Sequence, residues 1–349
     1  MNARRVLIVR LSAVGDCVHA LPAVRSLRAA LPEAYLAWAI DDRSAALFEG
    51  LREVDEILVM PRRSLNGLSR LGRWRRLADY RRCLRQREFD VAVDLQGLTK
   101  SALLAFLSRA PTRIGHSRAN GARELAPVFY NLTPELPEEA RHVAEKSRAL
   151  LVSLGVDLSR PLPSPDLPEH SEAGGRVSAE LARLDITEGS YAVLNPGAGW
   201  STKLWPLEHF AELAAELRGK PGLDVLVSWY GPEERSMAEA ICAGGNARPA
   251  PETDLRELAE LLRRAALFVG SDTGPTHIAA ALNTPTVALF GPADAGRNRP
   301  LGENVQTLTA GLDCSPCWLR ARCPRGVECM RAIPPGRVLE AVAQLGVAS

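Results

Sequence analysis

Short apolar runs alternate with amphipathic segments of helical length through the first half of the chain. The runs at 6–9, 36–40, 57–60 and 91–95 read as strands, and segments such as 19–30 and 74–87 carry helical spacing between them. This is the βαβ rhythm of a parallel sheet, whose strands are covered on both faces and therefore read as continuous apolar runs. The rhythm breaks where Pro161, Pro163, Pro165 and Pro168 crowd a polar stretch that can continue neither helix nor central strand. Beyond it the alternation restarts, with strands at 191–194, 225–229, 267–269 and 286–290. The pattern predicts an α/β chain with a Rossmann-like domain at 1–160, a proline-rich linker at 161–175 and a second Rossmann-like domain at 176–325. A terminal segment, 326–349, carries one more helix, long enough to pack across either half, back on the first domain included.

Length supports the division, because 349 residues exceed the size at which one hydrophobic core ordinarily stops growing. With 46% hydrophobic and 24% charged residues the composition is that of a soluble globular protein. Arg10 interrupts the first apolar run too soon for a secretory leader, and no apolar stretch is long enough to span a bilayer. A cytoplasmic location is expected. Net charge is only +2, yet ten arginines and a single acid, Asp79, fall between Arg62 and Arg87. Such a block suits phosphates, carboxylates or an anionic membrane face, or is a solvated helix surface. Near-neutral overall charge and the lack of a nucleic-acid module argue against nucleic acid as partner.

Three turns carry candidate chemistry. Asp16 follows Gly15 where the first strand gives way to a helix, the crevice side of an open α/β sheet. A carboxylate there acts either as a helix cap or as a general base. In GSDTGPTHIAAAL (270–282), Asp272, Thr273 and Gly274 lead into a helix with Pro275 in its first turn, an arrangement that caps a helix or cradles a phosphate. In NPGAGWSTKLWP (195–206), Gly197, Ala198 and Gly199 precede Lys203, a compact cation suited to a departing diphosphate. WYGPEE (229–234) supplies acids for ribose hydroxyls or for a helix dipole. Neither a P-loop nor a GxGxxG after the first strand is present. Cys314, Cys317, Cys323 and Cys329 form a C-x2-C-x5-C-x5-C run that lacks the paired spacing of a zinc ribbon. Zinc, an iron–sulfur cluster and four free thiols all stand as readings of it, and no metal is expected to be required.

SAVGD (12–16), DLQGLTKSALL (94–104), GARELAPVFYN (121–131), STKLWP (201–206), SDTGPTHIAAAL (271–282) and FGPAD (290–294), in this order, resemble glycosyltransferase family 9, the ADP-heptose:lipopolysaccharide heptosyltransferases, most of all the type I enzymes acting on the innermost Kdo sugar. The resemblance implies a GT-B fold of two facing Rossmann-like domains, acceptor on the first and nucleotide sugar on the second. It implies inverting heptosyl transfer from ADP-heptose with no cofactor. By motif, Asp16 resembles the general base, and Lys203 the residue that holds the diphosphate with Thr273 and Gly274. Asp272 and His277 match donor contacts, Glu234 a ribose-binding acid, and Thr253 a position near adenine. Arg62, Arg63, Gln96, Lys100 and Arg123 match acceptor-side positions facing the carboxylates and phosphates of an anionic lipid A precursor at the inner face of the cytoplasmic membrane, where the enzyme would be peripheral. NPGAG replaces a more polar loop of some type I enzymes, so backbone amides would supply the phosphate contacts there. Another nucleotide sugar, a different acceptor, or a non-catalytic nucleotide-sugar binding protein are the competing readings.

Overall fold

The computed structural model describes residues 3–220 and 222–347, and the chain divides into two compact units, Met1–Pro168 and Glu169–Ser349. The division falls inside the proline-rich stretch. Its last residues are not linker, however: a helix already begins at Ser171, because buried Ala173, Gly174, Val177 and Leu181 give this segment an apolar face. Gly174 is needed there, since a Cβ would stand 2.7 Å from the guanidinium of Arg264.

The first unit runs β1 (Arg5–Val9), α1 (Val14–Ala30), β2 (Tyr35–Asp41), β3 (Glu56–Met60), α2 (Arg70–Arg85), β4 (Val91–Asp94), α3 (Thr99–Leu107), β5 (Thr112–Ile114) and α4 (Val143–Ala149). Its five strands are all parallel, in the order β3-β2-β1-β4-β5. Leu7, Val9, Ala37, Ala39 and Ala92 pack one layer of core against Leu84 and Phe89, while α1 and α4 lie against each other.

The second unit runs α5 (Ser171–Arg183), β6 (Tyr191–Asn195), α6 (Leu207–Gly219), β7 (Asp224–Val227), α7 (Gly231–Cys242), β8 (Arg248–Pro249), α8 (Leu255–Arg263), β9 (Leu267–Ser271), α9 (Gly274–Ala281), β10 (Thr286–Phe290), the single turn α10 (Ala295–Asn298), β11 (Val305–Thr309), the single turn α11 (Glu328–Arg331) and α12 (Pro335–Gln344). Its strands are again all parallel, ordered β11-β10-β9-β6-β7-β8. The final helix, α12, packs on α6, β10 and β11 of its own unit. Val338, Ala341 and Val342 are buried there, and the indole of Trp205 donates to Ile333 O at 2.9 Å, fastening the approach to the helix.

Both strand orders reverse direction once, between β1 and β4 in the first unit and between β6 and β9 in the second. The crevice beyond the carboxyl ends of the strands at such a switch point is where open α/β sheets bind ligands.

Candidate active site

Asp16, Gln96, Lys203 and Asp272 lie just after the strands that flank these two switch points. In the first unit the chain leaves β1 through Arg10, whose buried guanidinium donates to Leu95 O at 2.5 Å and pairs with Asp16 at 2.7 Å. Asp16 is not the N-cap of α1. That position belongs to Ala13, and Asp16 sits three residues on, where its other oxygen accepts from the Ala13 N–H at 3.2 Å. The carboxylate thus does a capping acid's work and still remains 45% exposed. An ionic partner and a share of solvent leave it able to accept a proton from a hydroxyl.

The end of β4 completes this half. Asp94, fully buried, accepts from Ser101 Oγ at 2.7 Å, Tyr130 OH at 2.6 Å and the backbone of Gln96 and Gly97. Burial pushes its carboxyl up, and those four donors oppose the push. By fixing this loop Asp94 orients Gln96, which accepts from Leu11 N at 2.9 Å, and starts α3 so that Lys100 reaches Ser12 Oγ at 3.1 Å. Desolvation and the guanidinium of Arg62 hold the Lys100 ammonium below the ordinary lysine value; Asp41 pulls it back, and Arg43 and Arg10 add to the depression. Arg62 itself pairs with the buried carboxylate of Asp41 at 3.2 Å. Asp42 accepts from the backbone of Arg62, Arg63 and Ser64, so that turn is clamped to the end of β2. Arg123 is exposed, and its N–H donates to Gly97 O at 2.9 Å, which ties its loop to the Gln96 turn. Gly97 has φ of +71° and the Ala122 Cα stands 3.4 Å from where its Cβ would be, so this approach needs glycine. The first unit therefore presents one half-exposed carboxylate among several cations.

In the second unit, Lys203 lies at the end of a short turn after β6. Its ammonium donates to Asp272 O at 3.0 Å and Asp272 Oδ2 at 2.6 Å, and stands 4.3 Å from the centre of the Trp200 ring. The other Asp272 oxygen meets His277 Nε2 at 3.0 Å. Burial opposes ionisation of Asp272, but His277 and then Lys203 outweigh it and hold the carboxyl below its usual value. Asp272 is accordingly no helix cap. Thr273 occupies the N-cap of α9 without making a side-chain cap bond; its hydroxyl lies 3.3 Å from Asn195 Oδ1 and 3.2 Å from Thr276 Oγ1. The first-turn N–H groups that begin at Gly274 have no partner within the helix, and the dipole end there is positive.

Glu234 and Gly197 meet beside this cluster's loop. A Cβ on Gly197 would lie 2.2 Å from the Glu234 carboxyl carbon, so glycine is what admits the acid, which is held by the Tyr230 N–H at 2.8 Å. Burial pushes the Glu234 carboxyl up; the Tyr230 bond opposes this and Glu233 reinforces it. Ala198 is half-buried and Gly199 opens to solvent. Thr253 stands in the loop between β8 and the Asp254 cap of α8, again beyond the carboxyl end of a strand.

Several partners of these residues leave no signal in the local sequence. Arg10 was visible only as the charge that ends the first strand, although it positions Asp16. Trp200 carries Lys203 on one side and the guanidinium of Arg320, 4.8 Å from the ring centre, on another. Ser201 donates to Ala321 O at 3.0 Å and Thr202 donates to Leu319 O, so the cysteine-rich segment braces the Lys203 turn. No spacing signal connects residues so far apart in sequence. Cys314, Cys317, Cys323 and Cys329 are all free thiols, and among the described residues no group of three or more His, Cys, Asp or Glu side chains is placed to hold a metal ion.

The sequence profile of glycosyltransferase family 9 (heptosyltransferase) matches residues 77–325. The chain belongs to that family. Lipopolysaccharide heptosyltransferase 1 of Pseudomonas aeruginosa is 31% identical to it over 90% of this chain and 86% of that protein. The solved structure of E. coli heptosyltransferase WaaC with ADP superposes with a TM-score of 0.76 at 26% identity, covering 98% of this chain and 99% of that one. WaaC of E. coli with ADP-2-deoxy-2-fluoro heptose gives 0.72 at 27% identity over 96% and 99%. With two parallel-sheet α/β units, this family 9 transferase has the GT-B fold.

Proposed function

We propose that this family 9 enzyme transfers heptose from ADP-heptose to the Kdo region of an anionic lipopolysaccharide precursor, with inversion at the anomeric carbon. The named relatives support the donor and acceptor class. In this reading an acceptor hydroxyl loses its proton to Asp16 as its oxygen bonds to the anomeric carbon, while the bond from that carbon to the diphosphate oxygen breaks and ADP departs. Lys203 and the first-turn amides of α9 take up the charge that develops on the leaving diphosphate, a form of electrostatic stabilisation realised most fully in the transition state. Asp272 and His277 hold Lys203 ready. Glu234 accepts from ribose hydroxyls, Thr253 sits near the adenine, and Gly197, Ala198 and Gly199 let the backbone approach the phosphates. Arg62, Arg63, Gln96, Lys100 and Arg123 receive the acceptor's carboxylates and phosphates, for which guanidinium groups are the better matched cations. The enzyme works peripherally on the cytoplasmic side of the inner membrane; among the described residues no helix is long and apolar enough to cross a membrane.

The observation that carries the reading is Asp16: a carboxylate beyond the end of β1, held by Arg10 and still open to solvent. Thermal unfolding with ADP, UDP, GDP and CMP tests the donor class, because a ligand that binds only the folded state raises the midpoint. Selective stabilisation by ADP, together with heptose transfer from ADP-heptose to a Kdo-bearing acceptor, is the expected outcome. Stabilisation by another nucleotide alone, or ADP binding without any transfer, contradicts it.

A further inference from the structure

Helix α2 belongs to neither switch point, and it is the most cationic element of the chain. Its inner side is fixed: Leu84 is fully buried, Tyr80 and Cys83 pack on the first unit's core, and Tyr80 OH donates to Leu58 O at 3.2 Å. Its opposite side is unusual for a solvated helix. Leu71 and Trp74 are 61% and 74% exposed, and no large apolar side chain described is more exposed than Trp74. At helical spacing these two share a stripe with Ala78 and Arg85, flanked by Arg75 and Arg82 on one edge and Arg81 on the other. A shallow cavity opens along the same stripe, lined by Ala78, Arg81, Arg82, Arg85 and Gln86. Desolvation, then repulsion from Arg109 and Arg81, holds the Arg85 guanidinium below its ordinary value, so an anion placed among them would relieve that repulsion.

We infer that the outward face of α2 is a docking surface for an anionic lipid bilayer, with Trp74 and Leu71 inserted at the interface and a lipid phosphate seated among Arg81, Arg82 and Arg85. The inference rests on the membrane-peripheral part of the proposed function and names the surface responsible. Charge and shape both favour this occupant. Each basic residue near an anionic surface strengthens binding roughly fivefold, and tryptophan prefers the headgroup level. Helices that lie in the interface combine this chemistry of arginines with Trp and Leu. A nucleic acid would use the arginines but leave Leu71 without a partner, since bases stack on aromatic rather than aliphatic side chains.

The full chain is sedimented with vesicles of phosphatidylglycerol and phosphatidylethanolamine, and with phosphatidylcholine alone. Binding to the anionic vesicles only, weakened about a hundredfold in the triple variant Arg75→Glu, Arg81→Glu, Arg82→Glu, is the expected result. Trp74→Ala with Leu71→Ala is expected to weaken it about tenfold by removing inserted apolar surface. ADP-dependent thermal stabilisation verifies that each variant is folded. Unchanged vesicle binding in folded variants overturns the docking surface, as does tighter binding of the wild type to a single-stranded oligonucleotide than to the vesicles. Heptose transfer to a water-soluble Kdo acceptor without acyl chains separates the two ideas: the triple variant keeps that activity when docking is the helix's role. Equal loss of soluble-acceptor activity and vesicle binding overturns the docking role. Failure of the wild type itself on every acceptor defeats the proposed function instead and leaves the vesicle result to be judged on its own.

Discussion

The two switch points solve different problems with the same topology. At the first, the carboxylate of Asp16 is 45% exposed and held by one buried guanidinium; at the second, Lys203 and Asp272 are 12% and 6% exposed and locked to each other. Near the first lie Arg10, Arg43, Arg62 and Lys100, and burial first, then the guanidinium of Arg62, depresses the Lys100 ammonium. The second has balanced its charges internally before any ligand arrives. Under the proposed mechanism, the contrast separates a region that reacts from one that holds. In that mechanism a group that accepts a proton keeps access to solvent, whereas a cradle for a departing diphosphate gains from donors already fixed in place, because they need not reorganise during the reaction.

The largest effect that would sharpen this contrast comes from Asp16→Asn, which keeps the shape and removes the proton acceptor. Turnover is expected to fall by up to roughly 10⁴-fold in an assay of heptose transfer, the upper range for a lost general base. A variant that keeps a large share of wild-type activity would break the assignment. Lys203→Ala is expected to lower turnover by roughly 10²- to 10³-fold, the scale of one lost transition-state donor. It leaves the buried Asp272 paired only with His277, so some loss of thermal stability is expected with it. Gly197→Ala separates holding from folding more cleanly. Its methyl would displace the Glu234 carboxylate rather than any backbone, so nucleotide affinity is expected to weaken by about tenfold while the unfolding midpoint barely moves. Unaltered affinity would remove Glu234 from the nucleotide site.

The smallest effects are those of pH, and here the two regions should move in opposite directions. Glu234 has a raised carboxyl, so it takes up its proton at a higher pH than an ordinary glutamate, and donor affinity is expected to fall as pH drops through that raised value. Lys100 has a depressed ammonium, so it loses its proton earlier than an ordinary lysine, and acceptor KM is expected to climb as pH rises toward it. Titrating donor affinity and acceptor KM across the same pH range checks both. Donor affinity and acceptor affinity that rise or fall together with pH would contradict the division.

Much of this was legible in the sequence, for physical reasons. Strands buried on both faces write themselves as unbroken apolar runs, so β1, β2, β3, β4 and β10 could be placed almost to the residue, and the turns after them carried the polar residues that gather at the switch points. The final residues of the proline-rich break are helical, with Gly174 packed beside Glu260 and Arg264, a pairing invisible in local composition. The last helix was open to either unit by length alone; Trp205 and the apolar side of α12 decide for the second. Cap signals misled in detail. Asp16 and Asp272 both have the chemistry of N-caps, yet one lies a turn inside its helix and the other faces a lysine and a histidine. Arg10, Trp200 and Arg320 act through contacts between distant segments, for which periodicity has no vocabulary.

The division of labour between the two regions is tested most directly by calorimetric titration of ADP into the wild type, Asp16→Asn and Lys203→Ala. Asp16→Asn is expected to bind ADP within about twofold of the wild type, whereas Lys203→Ala loses about tenfold or more, the worth of a charge-assisted hydrogen bond. An Asp16→Asn enzyme that loses ADP affinity while Lys203→Ala retains it would contradict the account.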